Sequence, residues 1–155
     1  MGRKSKQKGS GFERQVAKLF EAALGMKFVR TPISGGWGRY QTKGDLVVEP
    51  GKTFGYFIEC KKSESWDLWS TLFDGCGPLL NEWWVKAKQQ AKEEGKIPVV
   101  VTAQNNRIPL ALCPLRSVDV MSEHWYRMVD KDGDVIVLTS LDVFLVALKK
   151  KLSRK

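Results

Sequence analysis

The chain has a single histidine, His124, and only three cysteines, Cys60, Cys76 and Cys113, none of them in a CxxC spacing. Zinc sites are built from clustered Cys and His ligands, so none is expected here. Three scattered thiols give no disulfide framework either, and reduced cysteines in a cytoplasmic compartment are the simplest expectation. No apolar run approaches the roughly 20 residues that span a bilayer. The basic N-terminus is not followed by the apolar stretch of a secretory signal, so neither a membrane span nor export is expected. Acidic residues are also in short supply: 17 Asp and Glu stand against 26 Lys and Arg, for a net charge of +9. A surplus of this size suits a polyanionic partner, because phosphate contacts release counterions. An anionic membrane surface or simple solubility would use the same charge. What is present is enough for one folded domain, since 155 residues with 43% hydrophobic content can bury a core unaided.

Residues 1–10 carry five basic or amide side chains and almost nothing apolar, and are expected to form a flexible basic arm. The single domain then covers 11–155, with a core to residue 104 and an extension over 105–155. Ser10 and Glu13 have the spacing of a capping box. Phe12, Val16, Leu19, Phe20 and Ala23 follow at helical intervals, which predicts a helix over 11–24 stopped by Gly25. A strand over 26–30 leads into the breaker-rich stretch Thr31–Gly38. Strands over 45–48 and 53–61, joined by Glu49-Pro50-Gly51-Lys52, are predicted to pair as a hairpin. A short helix over 66–74 precedes a longer one over 79–94, with Leu80, Trp84, Ala87 and Ala91 on one stripe and Gly95 at its end. Strands are expected at 98–102, 108–113, 127–130 and 134–138, the last two joined at Asp132-Gly133, before a helix over 140–150. There is no internal repeat, and the order of elements makes the class α/β: a central mixed sheet flanked by helices, with an added C-terminal β/α segment.

Chemistry concentrates in Gly44-Asp45, a hairpin turn, and Glu59-Cys60-Lys61. Hydrolysis of a phosphodiester needs a divalent cation to bind the scissile phosphate and supply hydroxide. Magnesium prefers one or two carboxylates together with waters and phosphate oxygens. Asp45 and Glu59 on adjacent antiparallel strands can meet at one such point. Glu59 and Lys61, two apart on a strand, share a face, while Cys60 turns to the core and leaves its carbonyl near the metal. Lys61 is then placed to orient or deprotonate the attacking water. Glu13, on the preceding helix, can reach the same pocket. An E-x-K triplet alone is common by chance, and Glu59 paired with Lys61 or Lys62 on an edge strand is the plain alternative.

In order along the chain, Lys8-Gly9, Phe12-Glu13-Arg14, Phe28-Val29-Arg30-Thr31-Pro32, Ser34-Gly35, Asp45 and Glu59-Cys60-Lys61 resemble the archaeal-type Holliday junction resolvases. These are a branch of the PD-(D/E)XK nuclease superfamily with a restriction-endonuclease-like core. The resemblance covers roughly residues 8–62, with Gly44 where the family usually has proline. It implies a Mg²⁺-dependent endonuclease, with Mn²⁺ as a substitute, that acts as a homodimer on four-way DNA junctions by paired nicks. By the same resemblance Asp45, Glu59 and the Cys60 carbonyl are metal ligands, and Glu13 binds a metal or its water. Lys61 is the catalytic lysine, and Ser34 belongs to a loop that approaches the scissile strand. The cytoplasm is the expected location, together with the DNA of a prokaryotic host or of a virus infecting it.

Candidate DNA contacts are Arg14, Arg30, Gly35, Trp37, Arg39, Lys43 and Lys62, with Lys86, Gln89 or Gln90 facing the active site from the following helix. Arg14 and Arg30 could serve internal ion pairs, but phosphate contact beside Glu13 is the favoured expectation. Trp37 sits among glycines and basic residues, where it could stack on opened DNA or simply anchor its loop. Trp83, Trp84 and Trp125 fall in apolar patterns and are expected in the core, whereas Trp66 and Trp69 suit either the core or a subunit interface.

Overall fold

A computed structural model of the chain describes residues 2–31, 42–64, 77–118 and 124–154, with side chains from residue 9 onward. Ser34, Gly35, Trp37, Arg39 and the helix expected over 66–74 lie outside the described residues. Among the described residues the elements follow in this order: α1 (Gly2–Leu24), β1 (Phe28–Arg30), β2 (Leu46–Val48), β3 (Tyr56–Lys62), α2 (Pro78–Glu93), β4 (Ile97–Ala103), β5 (Leu110–Pro114), a short 3₁₀ turn (Leu115–Ser117), β6 (Tyr126–Val129), β7 (Val135–Ser140) and α3 (Leu141–Leu152).

The strands form one mixed sheet in the order β1-β2-β3-β4-β5-β7-β6. The β3–β4 pair is parallel, with Glu59 opposite Val100 and Lys61 opposite Thr102, and the other pairs are antiparallel. The aromatic and β-branched run Tyr56-Phe57-Ile58 suits a strand buried on both faces, and all three side chains are buried. Their alternation divides the core. Ile58 and Cys60 join Phe12, Val16, Phe20 of α1 and Phe144, Leu148 of α3 on one face. Phe57 joins Leu80, Trp84, Ala87 and Ala91 of α2 on the other. Helices therefore cover both faces, which is the expected α/β layout.

Helix α1 differs from expectation at its start. It begins at Gly2 rather than residue 11, so Ser10 and Glu13 lie inside a continuous helix. Lys, Arg and Gln are good helix formers, and a side-chain pattern that can cap a helix does not oblige the helix to begin there. Helix α2 matches the expected stripe, with Pro78 in its first turn and Gly95 (φ +65°) after its end. The last third of the chain adds β5, β7 and β6 to one edge of the same sheet. Helix α3 packs beside α1, with the Phe20 and Phe144 ring centroids 6.3 Å apart. Among the described residues no helix is long and apolar enough to cross a membrane.

One buried carboxylate ties α2 to the β6–β7 turn. Asp130 accepts from the Trp84 indole (2.9 Å), the Lys88 ammonium (2.8 Å) and the backbone N–H groups of Asp132 (2.9 Å) and Asp134 (3.0 Å). Lys88 also reaches Asp132 (2.8 Å) and Asp134 (2.7 Å). Burial works against the Asp130 charge, but its Lys88 and Trp84 hydrogen bonds outweigh that, and its pKa falls to about 2.

Candidate active site

Glu59 lies in the middle of β3, between β2 and β4, and is only 4% exposed. A surface ion pair on an edge strand is thereby excluded, because both neighbouring positions of the sheet are filled. Asp45 immediately precedes β2 and is fastened twice to β3. Its N–H donates to the Ile58 carbonyl (2.8 Å), and its carboxylate Oδ2 accepts the Cys60 N–H (2.7 Å). The Lys61 ammonium pairs with Glu59 Oε1 at 2.6 Å. Cys60 faces the α1 side of the core, as the alternation requires, and burial pushes its thiol far above the usual range, so it is a poor nucleophile.

Electrostatics follow from this packing. Burial, then the nearby Glu59 charge, raises the Asp45 pKa to about 6. Burial also works against the Lys61 charge, yet the Glu59 hydrogen bond prevails and raises its pKa. Two carboxylates thus lie near each other in a partly dry place, with one ammonium paired to Glu59. A divalent cation is the group such a pair accommodates best, because it compensates both charges at once. Among the described residues no group of three or more His, Cys, Asp or Glu side chains is placed to hold a metal ion. Glu13 stands at the margin of the carboxylate pair. Its charge contributes to raising the Asp45 pKa, but its carboxylate is engaged by the Arg30 guanidinium.

The expected DNA contacts divide. Arg30 serves an internal ion pair with Glu13, and Lys43 pairs with Glu93 at 2.7 Å. Arg14, Lys62 and Lys86 are exposed. Gln89 donates to Glu93 (3.2 Å), along its own helix. Gln90 is half-buried one turn before Glu94, so it lies on the flank of α2 nearest the segment that enters Asp45.

That segment went unnoticed in the sequence. Glu94 accepts from Thr42 Oγ1 (2.7 Å) and from the Lys43 N–H (2.6 Å), across about 50 residues of chain. Thr42 Oγ1 in turn accepts the Gly44 N–H (3.1 Å), and the Gly44 carbonyl accepts from Thr31 Oγ1 (2.6 Å). A Cβ on Gly44 would stand 3.1 Å from the Ile58 carbonyl oxygen and 3.4 Å from the Phe57 ring. A Cβ here would therefore require β3 to give by a few tenths of an ångström, and a proline would also forfeit the bond to Thr42. Gly44→Ala is expected to lower stability by about 1–2 kcal/mol and reduce turnover together. Thermal melts beside initial rates check this, and wild-type values for both would show that β3 yields without cost.

Comparison with known proteins decides the family. A family model described as "Phage putative PDDEXK endonuclease" matches residues 4–152. The chain belongs to this family. Membership accords with the expected restriction-endonuclease-like α/β fold, a mixed sheet with helices on both faces. Protein D14 of Escherichia phage T5 is 27% identical over 100 residues, 63% of this chain and 62% of that protein. The chain thus matches less than two thirds of that relative's length. The structure of Hjc, a Holliday junction resolvase from the archaeal hyperthermophile Archaeoglobus fulgidus, aligns over 96% of this chain and 97% of that one, with 17% identity and a TM-score of 0.43.

Proposed function

We propose that this endonuclease is Mg²⁺-dependent and structure-selective, and that it resolves four-way DNA junctions as a homodimer by paired symmetric nicks. The observation that carries the catalytic part is the fastening of Asp45 to Cys60 beside Glu59, with Lys61 on the same face. Asp45 and Glu59, with the Cys60 carbonyl, would hold Mg²⁺ or Mn²⁺, and Glu13 would hold the metal or its water. The bound metal would supply charge for the scissile phosphate and a water acidic enough to attack it. Lys61 would leave Glu59 and direct its ammonium to the attacking water or the developing phosphate charge. Ser34 would lie beside the scissile strand. Exposed Arg14, Lys62 and Lys86, half-buried Gln90, and Gly35, Trp37 and Arg39 would meet the DNA. Arg30 and Lys43 would do so only by exchanging Glu13 and Glu93 for phosphate.

The junction and dimer parts rest on the ordered resemblance of residues 8–62 to the resolvases and on the net charge of +9. Labelled four-way junction, fork, linear duplex and single strand, each incubated with Mg²⁺, test the substrate. Paired nicks at symmetric positions of the junction alone are expected, together with a dimer mass by light scattering. Equal cutting of linear duplex would mean a less selective nuclease. Tight junction binding with no cut in any metal would mean a binding protein.

A further inference from the structure

The segment entering Asp45 is held by a residue that the PD-(D/E)XK motif does not contain. Glu94 follows the last turn of α2, and its side chain is 12% exposed. One carboxylate oxygen takes the Lys43 N–H and the other takes Thr42 Oγ1 and the Lys96 ammonium (3.0 Å). Burial works against the charge, but these donors keep the Glu94 pKa below the usual value. Thr42 is itself buried and passes the constraint on through the Gly44 N–H. On the other side Thr31 holds the Gly44 carbonyl with its hydroxyl and the Asp45 carbonyl with its N–H (2.9 Å). Thr31 and Thr42, which flank residues 32–41, are thus both tied in beside Asp45. Each tie is short and polar, and the chain of ties leads from α2 to the carboxylate opposite Glu59.

We propose that Glu94 is a positioning residue for Asp45, acting through Thr42 and Gly44. Glu94 touches neither the metal nor the DNA. It fixes where Asp45 meets Glu59, and so sets the separation of the carboxylate pair. Among the described residues its neighbour Glu93 bonds Gln89 and the Lys43 ammonium, at the surface. Two adjacent glutamates thereby receive different roles, which gives an internal control.

This inference rests on the reading of Asp45 as a metal ligand, and the experiment separates the two. Glu94→Ala, Glu94→Gln, Thr42→Val, Thr42→Ser and Glu93→Ala are compared in the full chain for three quantities: DNA-cleavage kinetics, Mn²⁺ affinity by calorimetry without DNA, and DNA affinity in EDTA. A displacement of about 1 Å at a reacting group can cost about 100-fold in rate. Glu94→Ala and Thr42→Val are expected to lower kcat by that order and weaken Mn²⁺ binding at least tenfold. KM and DNA affinity should stay within about twofold. Glu94→Gln, which keeps one acceptor, falls between, while Thr42→Ser and Glu93→Ala match wild type in kcat. Wild-type kcat and Mn²⁺ affinity in folded Glu94→Ala would overturn the role, as would an equal loss in Glu93→Ala. If Glu94→Ala fails to fold, the Thr42→Val and Thr42→Ser pair decides by the same readings. Should wild type cut no DNA, the nuclease reading fails, and the Mn²⁺ arm still tests whether Glu94 positions Asp45.

Discussion

Asp45→Asn is expected to lose cleavage by about 10³-fold or more, keep or tighten DNA binding, and melt at a higher temperature in EDTA. The first part follows from the position of Asp45 opposite Glu59. An amide cannot supply the negative charge that a divalent cation requires, and a 10³-fold loss corresponds to about 4 kcal/mol of transition-state stabilisation. DNA binding survives because removing a carboxylate near phosphates removes repulsion. The stability gain follows from the raised pKa. An acid raised from 3.8 to about 6 on folding costs stability as pH climbs through that interval, and the full cost remains above it. At neutral pH the penalty is on the order of 2–3 kcal/mol, and asparagine escapes it while its side-chain oxygen still accepts the Cys60 N–H. Melts in EDTA from pH 4 to 7 check the sign: wild type should lose ground to Asp45→Asn as pH rises. A variant that is inactive and also less stable at every pH would assign Asp45 a structural role instead.

The second large effect lies away from the site. Asp130→Ala strips acceptors from a buried indole, an ammonium and two backbone N–H groups, and the Lys88 charge keeps only the exposed Asp132 and Asp134. Removing one partner of a buried, hydrogen-bonded pair costs about 3–5 kcal/mol. For a chain of this size the melting temperature should fall by roughly 10 °C, with the cleavage site itself unaltered. The pH dependence has the opposite sign to that of Asp45. A carboxyl lowered to about 2 contributes its stability above pH 4 and loses it as pH falls toward 2. The gap between wild type and Asp130→Asn is therefore expected to close over that interval. A gap of the same size at pH 2 would mean that packing rather than charge holds the turn.

The candidate motif could be picked out in the sequence because the pattern that suggests it is local. Glu59-Cys60-Lys61 alternates on a strand whose aromatic and branched residues identify it, and Asp45 precedes it by one hairpin. The α2 stripe of Leu80, Trp84, Ala87 and Ala91 was equally plain, since helical period and core contact coincide there. Contacts made by distant residues could not be seen. Nothing near Glu94 marks it as the acceptor for Thr42, and nothing near Glu13 selects Arg30 as its partner. The early start of α1 shows a different limit. Ser10 and Glu13 satisfy a local capping rule, whereas the helix-forming residues before them favour continuation despite Gly9 and Gly11, each costing about 1 kcal/mol. The β6–β7 pair follows the expected Asp132-Gly133 turn, but that β7 rather than β6 joins β5 was beyond pattern reading, because short strands of similar composition can pair in several ways.

The measurement that bears most directly on the catalytic centre is cleavage of an end-labelled four-way junction by wild type and by Lys61→Ala, in Mg²⁺ and in EDTA. Cuts by wild type in Mg²⁺, none in EDTA, and none by Lys61→Ala despite normal junction binding are the expected result. Cleavage that persists in EDTA or without the Lys61 ammonium would contradict it and place the chemistry elsewhere in the chain.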